Sequence, residues 1–481
     1  MITLGRAHTS LEILRTICQF SDSSDDLKLL YVSRAFFTAT IPFIWRNLRG
    51  VENLLELIPG VACGSTDEEP EVLNITPSPS STQIIMWTQL FVSPTLVEIS
   101  VVPLAPHQQG FLSCLEASAL AKHINAVCPN LKFLSLFPDK EETVEYRNRP
   151  CDAQALLYEF WNSSFPRQLE SMKSLTELCT TTAVLMPIGP ARFIRVPDLK
   201  NLAIYPTPST FALEKIAPES PFPALIKFSL NWAPHTLPVD VWQLPIFTNV
   251  TSVTLSFVTQ PRDSVDEWSS SLVSMICDKS PRLIALYIDF DLEKKYDSID
   301  LSSRPVIKPM QQVPLQTLEL VSAHIEECSE TGRLIPAIWS HLTVLKLPDN
   351  ATNIEELALF SELPVLENLI VELSLSTPSS EQNTVSSEGR NSSFNTLQSS
   401  SKVDISGDFY EIAQRLLDMW PKIQHVLWTD SAKTKPKIAS QSSSKALAIG
   451  LNRTINMLRE LSETKLRLSQ AYGPDALKMF Q

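Results

Sequence analysis

The sequence predicts an α/β fold: a short N-terminal helical bundle followed by an irregular solenoid of helix–strand units. Three observations carry this reading. A short apolar phrase recurs between residues 94 and 428, a proline precedes it at seven copies, and helix-like segments lead into several of them. A unit of helix, proline and short strand cannot bury its apolar face alone, so successive units must stack.

The phrase is apolar, two residues, apolar, one residue, apolar. It occurs as Leu96-Ile99-Val101, Leu131-Leu134-Leu136, Leu199-Leu202-Ile204, Leu225-Phe228-Leu230 and Val250-Val253-Leu255. It continues as Leu283-Leu286-Ile288, Leu315-Leu318-Leu320, Leu342-Leu345-Leu347, Leu366-Leu369-Val371 and Ile423-Val426-Trp428, with a weaker copy at Leu175-Leu178-Thr180. In a chain that is 44% apolar, three such positions match by chance at about 41 sites, so the phrase alone decides little. Pro94, Pro129, Pro197, Pro223, Pro281, Pro364 and Pro421 each stand two residues before the first apolar position. Requiring that proline cuts the chance expectation to about three, against the seven present.

The segments ahead of the strands have helical spacing. Leu112, Leu115, Ala119, Leu120 and Ile124 share one face, and so do Trp268, Leu272 and Ile276. Ser264 with Glu267, Asn353 with Glu356 and Asp408 with Glu411 have the spacing of capping boxes. The order of helix, proline and L-x-x-L-x-L resembles the leucine-rich repeat over roughly residues 85–430, and Asn350 stands where that family places its asparagine. The spacing of the copies is irregular, and a general α/β domain with short buried strands is the alternative. A Ser-, Thr- and Asn-rich stretch at 374–407 reads as a disordered insertion, and residues 446–470 as an amphipathic C-terminal helix bearing Ile449, Ile455, Leu458, Leu461 and Leu466.

Residues 8–50 read as a separate helical domain, joined to the rest by a polar linker at 51–84. Leu11, Leu14 and Cys18 share one helical face, an acidic turn follows at 21–26, and a second helix carries Leu30, Tyr31 and Phe36 or Phe37. Some 40 residues hold too little core to stand alone, so these apolar groups need a partner. Their order resembles an F-box. Glu12, Ile13, Leu14 and Ile17 match its first helix and Asp26-Leu27 its second. Val32-Ser33-Arg34 with Phe36-Phe37 match its V-C-R and aromatic, and Ile44-Trp45-Arg46-Asn47-Leu48 its LWRxL. The wording VSRAFF…PFIWRNL is typical of fungal members, while the family's initial Leu-Pro falls on Thr9-Ser10.

The resemblance implies a non-enzymatic substrate-recognition adaptor of a cullin-RING (SCF-type) ubiquitin ligase. Glu12, Ile13, Leu14, Ile17, Leu27, Leu30, Val32, Phe36 and Trp45 would dock on the small adaptor subunit, and the repeats would hold a protein substrate. The alternative is a repeat scaffold in which the N-terminal helices act only as a cap, with no ligase link.

Composition narrows the other classes. The 481 residues carry 40 Lys and Arg against 53 Asp and Glu, a formal net charge of −13. Such a surface is repelled by phosphate, which disfavours nucleic acid and anionic membrane as partners. No GxGxxG, GxxxxGK[ST], HExxH, GxSxG or CxxC motif occurs, so no cofactor, catalytic residue or metal site is expected. His324 beside Glu326 and Glu327 reads as a solvated face. With scattered cysteines, no signal-peptide pattern and no spanning apolar run, the expected location is the cytoplasm or the nucleus.

Strand alternation also predicts a binding face. Residues two, four and six after the first apolar position point away from the core, which places Phe133, Phe137, Tyr205, Tyr287, Asp289, Glu319 and Glu372 on one exposed surface, with Glu98 and Glu177 beside them. Aromatic groups next to carboxylates suit a basic peptide or protein.

Overall fold

The structure is a computed structural model of the chain. It describes residues 47–49, 94, 96–101, 112–139, 165–185, 194–206, 222–259, 265–291, 299–300, 308–325, 338–376, 394–428 and 438–472. The chain divides into two units, Met1–Asn231 with Gln243–Asn249 and Trp232–Trp242 with Val250–Gln481.

The first unit runs β1 (Asn47–Arg49), β2 (Glu98–Val101), β3 (Leu112–Ser113), α1 (Cys114–Val127), β4 (Phe133–Leu136) and β5 (Pro138–Asp139). It continues through α2 (Phe165–Ser171), β6 (Glu177–Thr181), a 3-10 turn (Thr182–Leu185), β7 (Asn201–Tyr205) and β8 (Lys227–Ala233), whose last two residues fall in the second unit. Strands β1, β2, β4, β6, β7 and β8 pair in that order, all parallel, and β3 pairs with β5. Leu134, Leu178, Leu202 and Phe228 lie in one register row, none more than 2% exposed. Ala117, Leu120, Ala121 and Ile124 of α1 and Phe165 and Leu169 of α2 are buried as well. Removing such side chains from water contributes roughly 1.5–3 kcal/mol for each large one.

The second unit runs α3 (Leu237–Val241), β9 (Ser252–Phe257), α4 (Val265–Lys279), β10 (Ala285–Asp289), β11 (Ile299–Asp300), β12 (Thr317–Val321) and β13 (Ala323–His324). Then come β14 (Val344–Thr352), α5 (Ile354–Ser361), β15 (Asn368–Ser376), β16 (Thr396–Ser406), α6 (Phe409–Met419), β17 (His425–Trp428) and α7 (Ile438–Tyr472). Strands β9, β10, β12, β14, β15, β16 and β17 pair in parallel in that order, with β11 on β13 apart. Val253, Leu286, Leu318, Leu345, Leu369, Leu397 and Val426 form one core row, each 0–1% exposed. Asn353 caps α5 through a capping box with Glu356, at 2.9 Å in both directions. Asp408 caps α6 by accepting from the Tyr410 N–H instead, without the expected box.

The recurring proline has a local cause. The first apolar N–H of the phrase donates to the carbonyl three residues back, as in Leu131 to Cys128, Leu199 to Val196, Leu225 to Phe222, Leu283 to Ser280 and Ile423 to Trp420. Pro129, Pro197, Pro223, Pro281 and Pro421 thus occupy the second position of a β-turn, where a fixed φ helps and the missing N–H costs nothing. A second bond pattern sets the register. The next two N–H groups share one carbonyl of the preceding strand: Lys132 and Phe133 donate to Val97, Ile284 and Ala285 to Thr251, and Glu367 and Asn368 to Thr343.

The α/β class stands, but its two finer parts need correction. A solenoid needs one repeated unit, and here only the turn and strand recur. The connecting helices vary among 5 residues in α3, 15 in α4, 8 in α5 and 11 in α6, so the result is a parallel sheet with unequal connections and not an irregular leucine-rich-repeat solenoid. No N-terminal helical bundle is found among the described residues. Asn47 and Leu48, read as its end, lie in β1, where Leu48 pairs in register with Ile99. The rest of 8–50 and the linker 51–84 lie outside the described residues.

The insertion also shrinks. Residues 374–376 belong to β15 and Thr396–Ser406 to β16, where Leu397, Ser399 and Val403 are buried. The polar composition concealed a strand because even its core-facing side carries a serine, Ser399, next to Leu397. The C-terminal helix is longer than 446–470, and its buried face is Ala448, Leu451, Ile455 and Leu458; Ile449, Leu461 and Leu466 are exposed.

Candidate interaction surface

Each sheet has a second face, made by the alternate residues of its strands. In the second unit, one register row of this face reads Thr254, Tyr287, Glu319, Lys346, Ile370, Gln398 and Leu427. All of these are half-buried or exposed. Tyr287 and Glu319 are direct register partners, and Lys346 Nζ lies 2.9 Å from Glu319 Oε2. Burial pushes the Tyr287 phenol up to about 12, and the nearby carboxylates of Asp289 and Glu319 push in the same direction. The phenol therefore stays protonated and able to donate across the neutral range.

Two bulges flank Glu372. Between Leu347 and Ala351, β14 carries extra residues against β15, and between Val371 and Leu373, β16 carries extra residues in turn. Bulges re-aim side chains at the rim of a sheet. Here Asp349 accepts from the Ser322 N–H at 2.7 Å, holding Ser322 at φ 58°, in the left-handed region. Asn350 is 1% exposed, and its Oδ1 accepts from the Ile325 N–H at 3.1 Å and lies 2.6 Å from the His324 ring. His324, which next to Glu326 and Glu327 had read as a solvated face, is part of this half-buried anchor.

In the first unit the corresponding row reads Glu98, Phe133, Glu177, Asn201 and Lys227. Half-buried Phe133 thus sits between two exposed glutamates. Phe137 and Tyr205 meet edge to face, with ring centroids 5.4 Å apart. Burial raises the Tyr205 phenol, and Cys179 adds to it. Cys179 itself is pushed up to about 11 by burial, against a weaker opposing hydrogen bond with Ser135, and Cys277 to about 12 by burial with Asp278 adding to it. Both thiols are held protonated at neutral pH, the reverse of an activated nucleophile.

Two predicted surface residues are corrected. Asp289 is only 7% exposed, and its Oδ1 accepts from the Asp291 N–H at 3.2 Å, so it shapes the strand end. Phe137 is 5% exposed, because it follows the last core leucine of β4 and turns against Tyr205. Phe133, Tyr205, Tyr287, Glu319 and Glu372 are half-buried on the open faces. The proposed docking residues Glu12, Ile13, Leu14, Ile17, Leu27, Leu30, Val32, Phe36 and Trp45 lie outside the described residues.

Sequence reasoning missed the ion pair of Glu319 with Lys346, although the spacing of the two phrases would have aligned them. It also missed the contacts that α7 makes with β17. Among the described residues, no group of three or more His, Cys, Asp or Glu side chains is placed to hold a metal ion, and no helix is long and apolar enough to cross a membrane. No family model matches the chain, and no curated protein matches it.

Proposed function

We propose that this chain is a non-enzymatic protein-binding adaptor. Each open sheet face offers a site for a basic protein segment, and residues 11–45 dock on the small adaptor subunit of a cullin-RING ubiquitin ligase, in the cytoplasm or the nucleus. The observation that carries the binding part is the pairing of an aromatic ring with carboxylates in register: Tyr287 with Glu319, and Phe133 between Glu98 and Glu177. A cationic side chain on such a face meets a ring and an anion together. What supports the ligase part is the ordered sequence match from Glu12 to Leu48.

Affinity capture with the full-length chain tests this, comparing wild type with Ile13→Ala/Leu14→Ala. Loss of interface anchors commonly costs ~2 kcal/mol or more, over tenfold in affinity. The wild type should bring down the ligase adaptor and a partner, and the variant the partner alone. A partner without the adaptor in both captures would mean a binding scaffold with no ligase link.

A further inference from the structure

We propose that Lys346 is a built-in occupant of the cation site on the second unit's open face, which a partner's lysine must displace, and that Asn201 leaves the equivalent site of the first unit open. The inference rests on the reading of those faces as sites for a basic segment. Both rows keep one order across three neighbouring strands. In the second unit it is Tyr287, Glu319 and Lys346, and in the first it is Phe133, Glu177 and Asn201. Each has an aromatic ring beside a carboxylate, and the third member is where they part. Lys346 and Asn201 are both half-buried on their open faces.

The third member decides what the carboxylate already holds. Lys346 Nζ lies 2.9 Å from Glu319 Oε2, so an ammonium of the chain itself sits where a partner's would go. A second lysine must take that place, or share the carboxylate with a like charge on the neighbouring strand, which is unfavourable. In the first unit the uncharged Asn201 stands there instead, and Glu98 adds a second carboxylate on the far side of Phe133. Lys132 and Lys200 flank this row at the turns before β4 and β7, yet among the described residues neither Glu98 nor Glu177 is in an ion pair. Within the row the cation is Lys227, two strands from Glu177 and so roughly 10 Å away at the usual strand spacing. A partner's lysine there meets a ring and two carboxylates with nothing to displace. These groups are partly solvated, and an exposed ion pair shifts an equilibrium by up to about fivefold. That sets the size of the difference between the faces.

The test titrates the full chain, carrying ring-labelled phenylalanine and tyrosine, with the peptide tetralysine and follows the rings by nuclear magnetic resonance. Phe133→Leu and Tyr287→Phe identify the two signals. In the wild type the Phe133 ring should respond at a tetralysine concentration lower by up to about fivefold than the Tyr287 ring. Lys346→Asn should lower the Tyr287 midpoint by as much and leave that of Phe133 in place. Asn201→Lys should raise the Phe133 midpoint and leave that of Tyr287 in place. Equal midpoints in the wild type, or midpoints that neither substitution moves, would overturn the roles of Lys346 and Asn201 and leave both faces as cation sites. No response of either ring in any of the three proteins would overturn the proposal together with the reading of the faces beneath it.

Discussion

Lys346 Nζ and Glu319 Oε2 stand 2.9 Å apart on neighbouring strands, with Tyr287 in the same row on the other side of the glutamate. Their side chains are 33% and 24% exposed, so water screens the pair and its stability contribution is small, about 0.2–1 kcal/mol. Its effect is local: the lysine balances one of the carboxylates that raise the Tyr287 phenol. Lys346→Ala should leave the melting temperature almost unchanged and move the phenol further up. Glu319→Gln should move it down. Ultraviolet titration of each variant, referenced to Tyr287→Phe, reads both directions.

The same phenol sets an alkaline limit. Its folded value is raised from 10 to about 12, so above pH 10 the unfolded chain releases a proton that the folded chain still holds. Stability from this group is present in full below pH 10 and falls as pH rises toward 12. Tyr287→Phe should flatten the loss of stability over that window. An identical alkaline slope in wild type and variant would remove Tyr287 as its source.

Thr180 occupies the core position of the weaker phrase copy; it is fully buried, and its hydroxyl has no hydrogen-bond partner. A buried unsatisfied hydroxyl costs about 1–3 kcal/mol. Thr180→Val keeps the shape and should stabilise the fold by about 1 kcal/mol, seen as a higher denaturant midpoint at constant slope. A lower midpoint would mean that the hydroxyl is satisfied in solution.

Asn350 predicts the opposite sign. Truncation to alanine strands the buried Ile325 N–H and frees the His324 ring, at a cost of about 1–3 kcal/mol. Asn350→Asp keeps the acceptor oxygen and should recover most of the loss against Asn350→Ala, as measured by the same denaturant curves.

How far these features could be read from the residues follows their range along the chain. The prolines announced turns because Pro129, Pro223 and Pro281 act within four residues, and the leucine phrase announced strands because each core position recurs within six. The serine-rich Thr396–Ser406 strand escaped, since its burial comes from β15 and β17 on either side and not from its own composition. The repeat solenoid failed for a related reason: the phrase marks the strand, while connections such as five-residue α3 and fifteen-residue α4 follow no pattern the strands impose. Alternation along a strand found Tyr287 and Glu319, but it treated Asp289 and Phe137 as equivalent positions. At strand ends the chain turns, and side chains there fold back into the core. The bonds of Asn452 in α7 to the Val426 backbone in β17 were out of reach, because they are made through tertiary contact alone.

The most direct test of the account is the composition of one captured particle. Purified from its native cell by a tag on the full-length chain, the complex should give a native mass equal to the chain plus the small ligase adaptor plus one protein partner. Ile13→Ala/Leu14→Ala should subtract the adaptor alone, and Glu319→Lys with Glu372→Lys the partner alone. A particle that never contains the adaptor, with both variants indistinguishable from wild type, would contradict it.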